Sequence, residues 1–141
     1  MALILAGLRV IDAASYVAGP AASTVMADFG ADVIKIEPPE GDSYRRLAAR
    51  HRTDYNWQLT SRGKRALALD LKQAEGQAVM HNLVKQADVL VVNFNARQLA
   101  EYQLQYELLR QLNPRLIFAQ ITGYGSRGPD RNKRAFDLAA W

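Results

Sequence analysis

A glycine-rich run late in the sequence has the spacing of a phosphate-binding loop. Residues Gly123–Gly128 read Gly-Tyr-Gly-Ser-Arg-Gly and follow an apolar stretch typical of a strand. A dinucleotide site also needs a helix that opens at the third glycine, and an acidic residue roughly 20 positions further on. Here Pro129 and Asp130 follow at once and indicate a turn, and no such acid comes after them. We therefore expect a flexible loop beside a ligand rather than a nicotinamide-cofactor site.

Few side chains in this sequence are suited to nucleophilic or metal chemistry. There is no cysteine, and the two histidines are His51 and His81. Thiol catalysis, disulfide frameworks and cysteine-zinc sites are therefore excluded, and we expect no metal site. Among the carboxylates, we expect Asp12 and Asp70 to be structural loop or cap residues rather than reactive groups.

Basic residues outnumber acidic ones by 18 to 14, which gives a net charge of +4. They are concentrated in residues 45–52 and 127–134. A basic surface is compatible with simple solvation, with a polyanionic small ligand or with nucleic acid. Nucleic-acid binders usually add a recognisable module or interleaved aromatic residues, and neither is found here. We therefore expect no nucleic-acid partner.

The elements that must position these residues alternate between strands and helices. Predicted strands are Leu8–Asp12, Asp32–Ile36, Arg65–Leu71, Asp88–Phe94 and Arg115–Ile121, and predicted helices are Ala21–Phe29, Ser43–Arg50, Lys72–Gln86, one or two pieces within Gln98–Leu112, and one that begins near Ala135. Arg52–Gly63 has no clear pattern. In the helix Lys72–Gln86 we expect Val79, Leu83 and Val84 to share the buried face. The alternation predicts an α/β fold with a mostly parallel, doubly wound, Rossmann-like sheet.

The fold class also predicts where a ligand lies. Ligands of doubly wound sheets bind beyond the carboxyl ends of the strands, which here are residues 13–20, 37–42, 93–97 and 122–133. No apolar run approaches the roughly 20 residues of a membrane span. The apolar start has no basic segment before it. We expect a cytoplasmic protein with no membrane partner.

Short motifs throughout the chain resemble those of one enzyme family. They include Leu8–Asp12, Ala18–Pro20, Ala27–Glu37, Gly41–Asp42, Gly63–Arg65, Leu69–Lys72, Glu75–Gly76, Ala87–Leu90, Asn93–Phe94, Leu112–Ile117, Gly123–Gly125, Gly128–Pro129 and Phe136–Leu138. In these motifs the chain resembles the N-terminal part of the class III CoA-transferases, which include formyl-CoA transferase, carnitine CoA-transferase and, as a close relative, α-methylacyl-CoA racemase.

The resemblance implies that residues 1–141 are the N-terminal portion of the large, Rossmann-like, CoA-binding domain, with the second domain absent. Members of the family form interlocked homodimers. A piece of this length lacks the segment that closes each ring, so we expect this chain to self-associate through exposed apolar surface instead.

The resemblance also implies a CoA site. Its expected CoA-binding residues are Val17, Ala18, Leu69, Lys72, Asn93, Phe94, Arg97 and Arg134. CoA needs cationic or N–H donors for its phosphates and a flat apolar slot for its adenine. Two of these residues have other plausible roles, since Leu69 could be plain core and Lys72 could simply begin a helix. CoA and acyl-CoA are expected as substrates, and no permanently bound cofactor is expected.

The family reaction is covalent catalysis by an aspartate, which attacks an acyl-CoA thioester and forms a mixed anhydride. CoA then passes to a carboxylic acid. The resemblance places that aspartate beyond Trp141 and implies an auxiliary role for Asp137. Residues 1–141 are therefore expected to hold no catalytic nucleophile.

Several departures from the family motifs restrict the function. Phe136 stands where racemases carry a catalytic histidine, which disfavours racemisation. Ser15 and Val17 replace a histidine and a glutamine of some transferases, and Pro38 replaces an arginine. The usual F-R-P-G turn is Phe94-Asn95-Ala96-Arg97 here, so either Arg97 restores the lost charge or CoA binding is weaker. The main hypothesis is part of an acyl-CoA:carboxylate CoA-transferase. The alternatives are a non-catalytic CoA- or partner-binding module, a racemase and a nucleic-acid-binding domain.

Overall fold

The computed structural model describes residues 3–47 and 54–136, and it contains a five-stranded parallel sheet. The strands are β1 Arg9–Asp12, β2 Asp32–Glu37, β3 Arg65–Ala68, β4 Val89–Val92 and β5 Ile117–Gln120. Their order is β3-β2-β1-β4-β5, and each adjacent pair is parallel. The predicted α/β, Rossmann-like fold is confirmed, with each strand lying within or close to its predicted range.

Six helices connect the strands in the part of the chain that the structure describes. They are α1 Ala18–Asp28, α2 Ser43–Leu47, α3 Tyr55–Ser61, α4 Ala74–Val84, α5 Ala96–Glu101 and α6 Tyr106–Leu112. Helix α3 lies in the segment 52–63, for which no element was predicted. Its N-cap is Asp54, whose side chain accepts a hydrogen bond from the Trp57 N–H at 3.0 Å. Residues 135 and 136 are not helical, and the rest of the helix predicted there lies outside the described residues.

The sheet is covered on both faces, as expected for a doubly wound fold. On one face, Ile11, Leu90 and Val92 pack in a core that includes Met80 and Leu109 of α4 and α6. On the other face, a second core beneath α1 contains Val10, Ala14, Ala31, Val33, Val89 and Val91. All four residues of β4 are buried because both faces of that strand are covered.

One prediction about α4 was wrong. Val79 was expected on the buried face, yet 42% of its surface is exposed. The buried residues of α4 are Gly76, Met80 and Val84, which are spaced four residues apart and therefore share one side of the helix. The buried face thus lies about one residue away from the predicted one, and Gly76 belongs to it.

Gly76 lets α4 pack directly against the backbone of residue 70. A Cβ at this position would overlap the Asp70 carbonyl oxygen and lie 2.8 Å from its carbonyl carbon. A backbone carbonyl cannot move aside as a flexible side chain can, so only glycine permits this approach. The contact fixes the segment that follows β3.

We predict that Gly76→Ala destabilises the chain by about 1–3 kcal/mol, the usual range for overpacking. Alanine has the better helix propensity by about 1 kcal/mol, so the steric overlap must outweigh a favourable term. Urea unfolding followed by circular dichroism measures the difference. The control is Ala78→Gly on the exposed side of α4, which is expected to lose only about 1 kcal/mol. A Gly76→Ala chain as stable as the parent would contradict the packing argument.

Candidate functional site

A cleft of about 290 Å³ opens at the carboxyl ends of the strands. The direction of the chain changes at the β1–β4 pair, because β2 and β3 lie on one side of it and β5 on the other. A crevice at such a switch point is the usual ligand site of an open α/β sheet. The lining residues are Ala13, Ser15, Ile36, Glu37, Pro38, Glu40, Leu69, Asp70, Leu71, Lys72, Phe94, Gln98 and Tyr102.

Three of the residues expected to bind CoA line this cleft: Leu69, Lys72 and Phe94. Leu69 is half-buried and packs against the core, as Phe94 does. The Phe94 ring meets Tyr102 edge-to-face at 5.1 Å between ring centroids. Lys72 is exposed at the turn before α4. The cleft therefore combines a flat apolar wall with a cation at its rim.

Asn93 forms hydrogen bonds with the loop after β1 and does not line the open cleft. Its Oδ1 accepts a hydrogen bond from the Ser15 N–H, and its Nδ2 donates one to the Ser15 carbonyl oxygen, both at 3.0 Å. The amide is therefore engaged in holding Ser15, which lines the cleft. Its predicted role in CoA binding stays a prediction, and these contacts favour an effect exerted through the loop.

The other expected CoA-binding residues do not line the cleft. Val17 is the exposed N-cap residue of α1, and Ala18 is the first residue of that helix. Arg97 is exposed in α5, and Arg134 is exposed near the end of the described residues. Their assignments stay predictions. Asp137, the expected auxiliary acid, lies outside the described residues.

The backbone at Tyr16 is strained. Its φ is 66°, in the left-handed region that non-glycine residues rarely adopt. The two hydrogen bonds from Asn93 hold Ser15, the residue before Tyr16, in place. The Tyr16 ring packs against Phe136 at 5.5 Å and against Tyr44 at 6.3 Å between ring centroids. Strained residues of this kind cluster at ligand sites, which agrees with the position of this loop at the cleft.

A cluster of buried charges underlies the cleft, and sequence reasoning missed it. Asp12, Lys35 and Asp42 are at most 2% exposed, and the Lys64 side chain is 1% exposed. Lys35 Nζ lies 3.1 Å from Asp42 Oδ2 and 3.9 Å from Asp12 Oδ1. Lys64 Nζ lies 2.8 Å from Asp12 Oδ2. Two cations therefore face two anions, and the cluster (Asp12, Lys35, Asp42 and Lys64) has no net charge.

Hydrogen bonds complete the coordination of this cluster. The Asp12 carboxylate accepts from the Ala14 N–H at 3.1 Å and from Ser23 Oγ at 2.7 Å. Lys64 Nζ also donates to the carbonyl oxygens of Pro20 and Thr60 at 2.6 and 2.7 Å. Burial lowers the pKa of Lys64, and the nearby Asp12 partly opposes that shift. The expectation that Asp12 is structural agrees with these contacts.

A second ion pair fixes the loop after β2. Arg45 donates to both oxygens of the Glu37 carboxylate, at 2.7 and 2.8 Å, and its guanidinium lies 3.8 Å from the centre of the Trp57 ring. Glu37 Oε2 also accepts from the Asp42 N–H at 3.0 Å. Burial alone would raise the pKa of Glu37, but these hydrogen bonds, with the charges of Arg45 and Lys35, hold it below its ordinary value.

The glycine-rich run forms an exposed turn. Gly125 and Gly128 have positive φ, and the Gly125 N–H donates to Thr122 Oγ1 at 2.8 Å. No helix follows it within residues 122–136. This arrangement agrees with the rejection of a dinucleotide motif. No helix in the described parts of the chain is long and apolar enough to cross a membrane.

The model of one protein family, CoA-transferase family III, matches residues 5–141. The chain belongs to CoA-transferase family III. Cinnamoyl-CoA:phenyllactate CoA-transferase of Clostridium sporogenes is 39% identical to it, over 98% of this chain and 35% of that protein. Succinate–glutarate CoA-transferase of Agrobacterium fabrum is 43% identical, over 94% of this chain and 36% of that protein.

A solved structure agrees with this membership. The crystal structure of a CAIB/BAIF family protein from Brucella suis superposes with a TM-score of 0.91 at 36% identity, over 99% of this chain and 38% of that one. The CoA-transferase family III chain described here therefore spans about a third of the length of these relatives. The resemblance inferred from the motifs is confirmed, both for the family and for the N-terminal position of the match.

We predict that Glu37→Gln destabilises this family III chain in a pH-dependent way. The pKa of Glu37 is lower in the folded chain than its ordinary value of 4.5. Its contribution to stability is therefore complete above about pH 5 and is lost as the pH falls through the folded-state pKa. At pH 7 we expect a loss of about 1–2 kcal/mol, because Arg45 is partly exposed and its ion pair is partly screened.

Urea unfolding at several pH values between 7 and 3 tests this prediction. The difference between the parent and Glu37→Gln is expected to shrink as the pH falls. The matched control is Glu40→Gln in the same loop, where the side chain is exposed, and it is expected to change stability little at any pH. A Glu37→Gln difference that stays constant from pH 7 to 3 would show that the ion pair is not its source.

Proposed function

We propose that this chain provides the CoA-binding part of an acyl-CoA:carboxylate CoA-transferase. The observation that supports the proposal best is the cleft at the switch point of the sheet, where Leu69 and Phe94 form an apolar wall and Lys72 lies at the rim. These are the positions at which the family resemblance expects CoA contacts. The substrates would be an acyl-CoA and a carboxylic acid, the classes named in the CoA-transferases to which the chain is similar.

The chemistry of the cleft suits one end of CoA. An adenine ring is flat and needs an apolar slot, which Leu69 and Phe94 can line, and a phosphate needs a cation, which Lys72 supplies. A volume of about 290 Å³ is at the low end of ligand pockets, so the cleft takes a part of CoA and the remainder extends along the loops. Glu40 and Asp70 also line the cleft, and their negative charges oppose a phosphate, so the proposal depends on Lys72 as the cation that would hold it.

The transfer itself needs a carboxylate that attacks the thioester carbonyl. Such attack forms a mixed anhydride and releases CoA thiolate, and the acceptor carboxylate then displaces the enzyme carboxylate to give a donor–acceptor anhydride. CoA thiolate attacks the acceptor carbonyl of that anhydride, which forms the new thioester and releases the donor carboxylate. Of the three described carboxylates at the cleft, Glu37 is held by Arg45, Asp70 accepts from the Lys72 N–H at 3.0 Å, and Glu40 is exposed to solvent. We propose that the attacking aspartate lies outside residues 1–141, with Asp137 as an auxiliary group.

The remaining expectations are also proposals. Exposed apolar side chains, including Ile4, Tyr55 and Leu59, support self-association of the chain, because covering such surface contributes roughly 25 cal/mol per Å². A homodimer of the whole protein and a cytoplasmic location rest on the family resemblance and on composition. Phe136 continues to argue against a racemase.

We predict that CoA stabilises the chain and that NAD does not. Bound ligand adds RT ln(1 + [L]/Kd), about 2.7 kcal/mol at a hundredfold excess over Kd, so the Tm should rise by several degrees. Lys72→Ala should weaken CoA binding about tenfold or more, since a hydrogen bond to a charged group contributes about 1.5–3 kcal/mol and each 1.4 kcal/mol changes Kd about tenfold. Thermal shift and calorimetric titration measure both effects.

The matched control is Lys85→Ala, which removes an exposed lysine just after the other end of α4. It should leave the Kd for CoA within twofold of the parent value. Stabilisation by NAD with none by CoA would overturn the proposed function. Equal effects of the two lysine variants would remove Lys72 from the site.

We predict that the chain by itself releases no CoA thiol from acyl-CoA. Because the sequence has no cysteine, a thiol reagent such as DTNB reports released CoA with no protein background. Succinyl-CoA mixed with the chain should give neither a stoichiometric burst nor turnover when glutarate is added. A burst of one thiol per chain would place the nucleophile within residues 1–141 and refute that part of the proposal.

A further inference from the structure

We propose that Lys35 is a positioning residue, which holds the two loops that form one side of the cleft at a fixed separation. The first loop is residues 13–17, after β1, and the second loop is residues 38–42, after β2. This inference rests on the proposed function, because it takes the cleft as the CoA site. Lys35 itself does not line the cleft, so it acts through the residues that it holds.

The contacts of Lys35 join the two loops directly. Its Nζ donates to the carbonyl oxygen of Ala14 in the first loop and lies 3.1 Å from Asp42 Oδ2 in the second. In the sheet, Lys35 is paired with Asp12, the last residue of β1. One ammonium group therefore connects the start of the first loop with the end of the second loop from beneath.

Ala14 and Asp42, the two residues that Lys35 connects, lie close in sequence to residues that line the cleft. Ala14 lies between Ala13 and Ser15, and both of these line it. Asp42 closes the second loop, in which Pro38 and Glu40 line the cleft. The Asp42 N–H also donates to Glu37, another lining residue, at 3.0 Å. A shift of either loop would therefore change the shape of the cleft.

A lysine at this position has a property that an apolar residue lacks. An ammonium group has three donors, and in this buried site it can satisfy the Ala14 carbonyl and the Asp42 carboxylate together. An apolar residue of the same length would fill the space but leave the Ala14 carbonyl and Asp42 Oδ2 without the lysine as donor, while Asp42 Oδ1 would keep the Tyr44 N–H at 2.8 Å. The buried charge is thus suited to specifying loop geometry as well as to filling the core.

Lys64 offers a control within the same cluster. It is also buried and also contacts Asp12, but its other partners are Pro20, Ser23 and Thr60. These residues lie on α1 and α3, not in the two loops. A general weakening of the cluster would follow from loss of either lysine, whereas misplacement of the loops should follow mainly from loss of Lys35.

The first experiment compares CoA affinities. Lys35→Met is expected to raise the Kd for CoA at least tenfold, and Lys64→Met to change it less than threefold, with folding of each variant checked by circular dichroism. Lys35→Met/Asp42→Asn restores charge balance if the single variant unfolds, and it should recover stability but not affinity. Lys35→Arg keeps the charge and should recover part of the affinity. Equal Kd values for the Lys35 and Lys64 variants would overturn the inference.

The second experiment needs no ligand. Because the chain has no cysteine, Val17→Cys and Glu40→Cys provide two unique, exposed sites for spin labels, one on each loop. The distance distribution between them should be narrow in the parent, broader in Lys35→Met and unchanged in Lys64→Met. If the distribution in Lys35→Met were as narrow as in the parent and in Lys64→Met, the role of Lys35 would be refuted. Failure of the parent to bind CoA would instead refute the proposed function, and the label distances would still decide the role of Lys35.

Discussion

The carboxyl edge of this sheet depends on the mutual neutralisation of four buried charges. Transfer of a single ion from water into a protein interior costs several kcal/mol even after relaxation. Here Asp12 and Asp42 face Lys35 and Lys64, and each charge has at least one partner of opposite sign within 3.1 Å. Removal of one member would leave an uncompensated buried charge, which typically destabilises a protein by about 3–5 kcal/mol. The loops are therefore held by a requirement for charge balance as well as by packing.

The two faces of the sheet contribute different parts of the site. Asp12 and Lys35 lie on the face covered by α1, where Lys64 and Ser23 complete the coordination of Asp12. The cleft draws its apolar wall from the other face, whose core includes Ile36, Leu71 and the partly buried Leu69 and Phe94. Ions on one face thus fix the loops, and apolar side chains on the other face provide the surface that a flat ligand can contact. Glu37 lies at the boundary, since it lines the cleft and binds Arg45.

Much of the fold follows from the sequence because its strands are short and mostly apolar. The run Val89–Val92 is buried on both faces, so its pattern is nearly continuous and easy to recognise. Helix α3 was missed because its two buried residues, Trp57 and Thr60, are too few to give a period. The buried face of α4 was placed one residue too early in the sequence, because Gly76, which has no side chain, belongs to that face.

The site was less predictable than the fold. Lys35 and Glu37 alternate with apolar residues in β2, a pattern that usually places polar residues in solvent. They are buried because α1 packs on β2 and because Asp42 and Arg45 cover their charged groups. Leu69, Lys72 and Phe94 were expected at the site from family motifs and not from spacing. The engagement of Asn93 with Ser15 depends on a register between β1 and β4 that no local pattern encodes.

The most direct test of the proposed CoA cleft is a crystal structure of the chain grown with CoA. We expect electron density for the adenine end against Leu69 and Phe94, a phosphate beside Lys72, and a pantetheine arm that runs toward the first loop. Density for CoA at the glycine-rich turn, or at the amino ends of the strands beside Arg9 and Arg65, would contradict it.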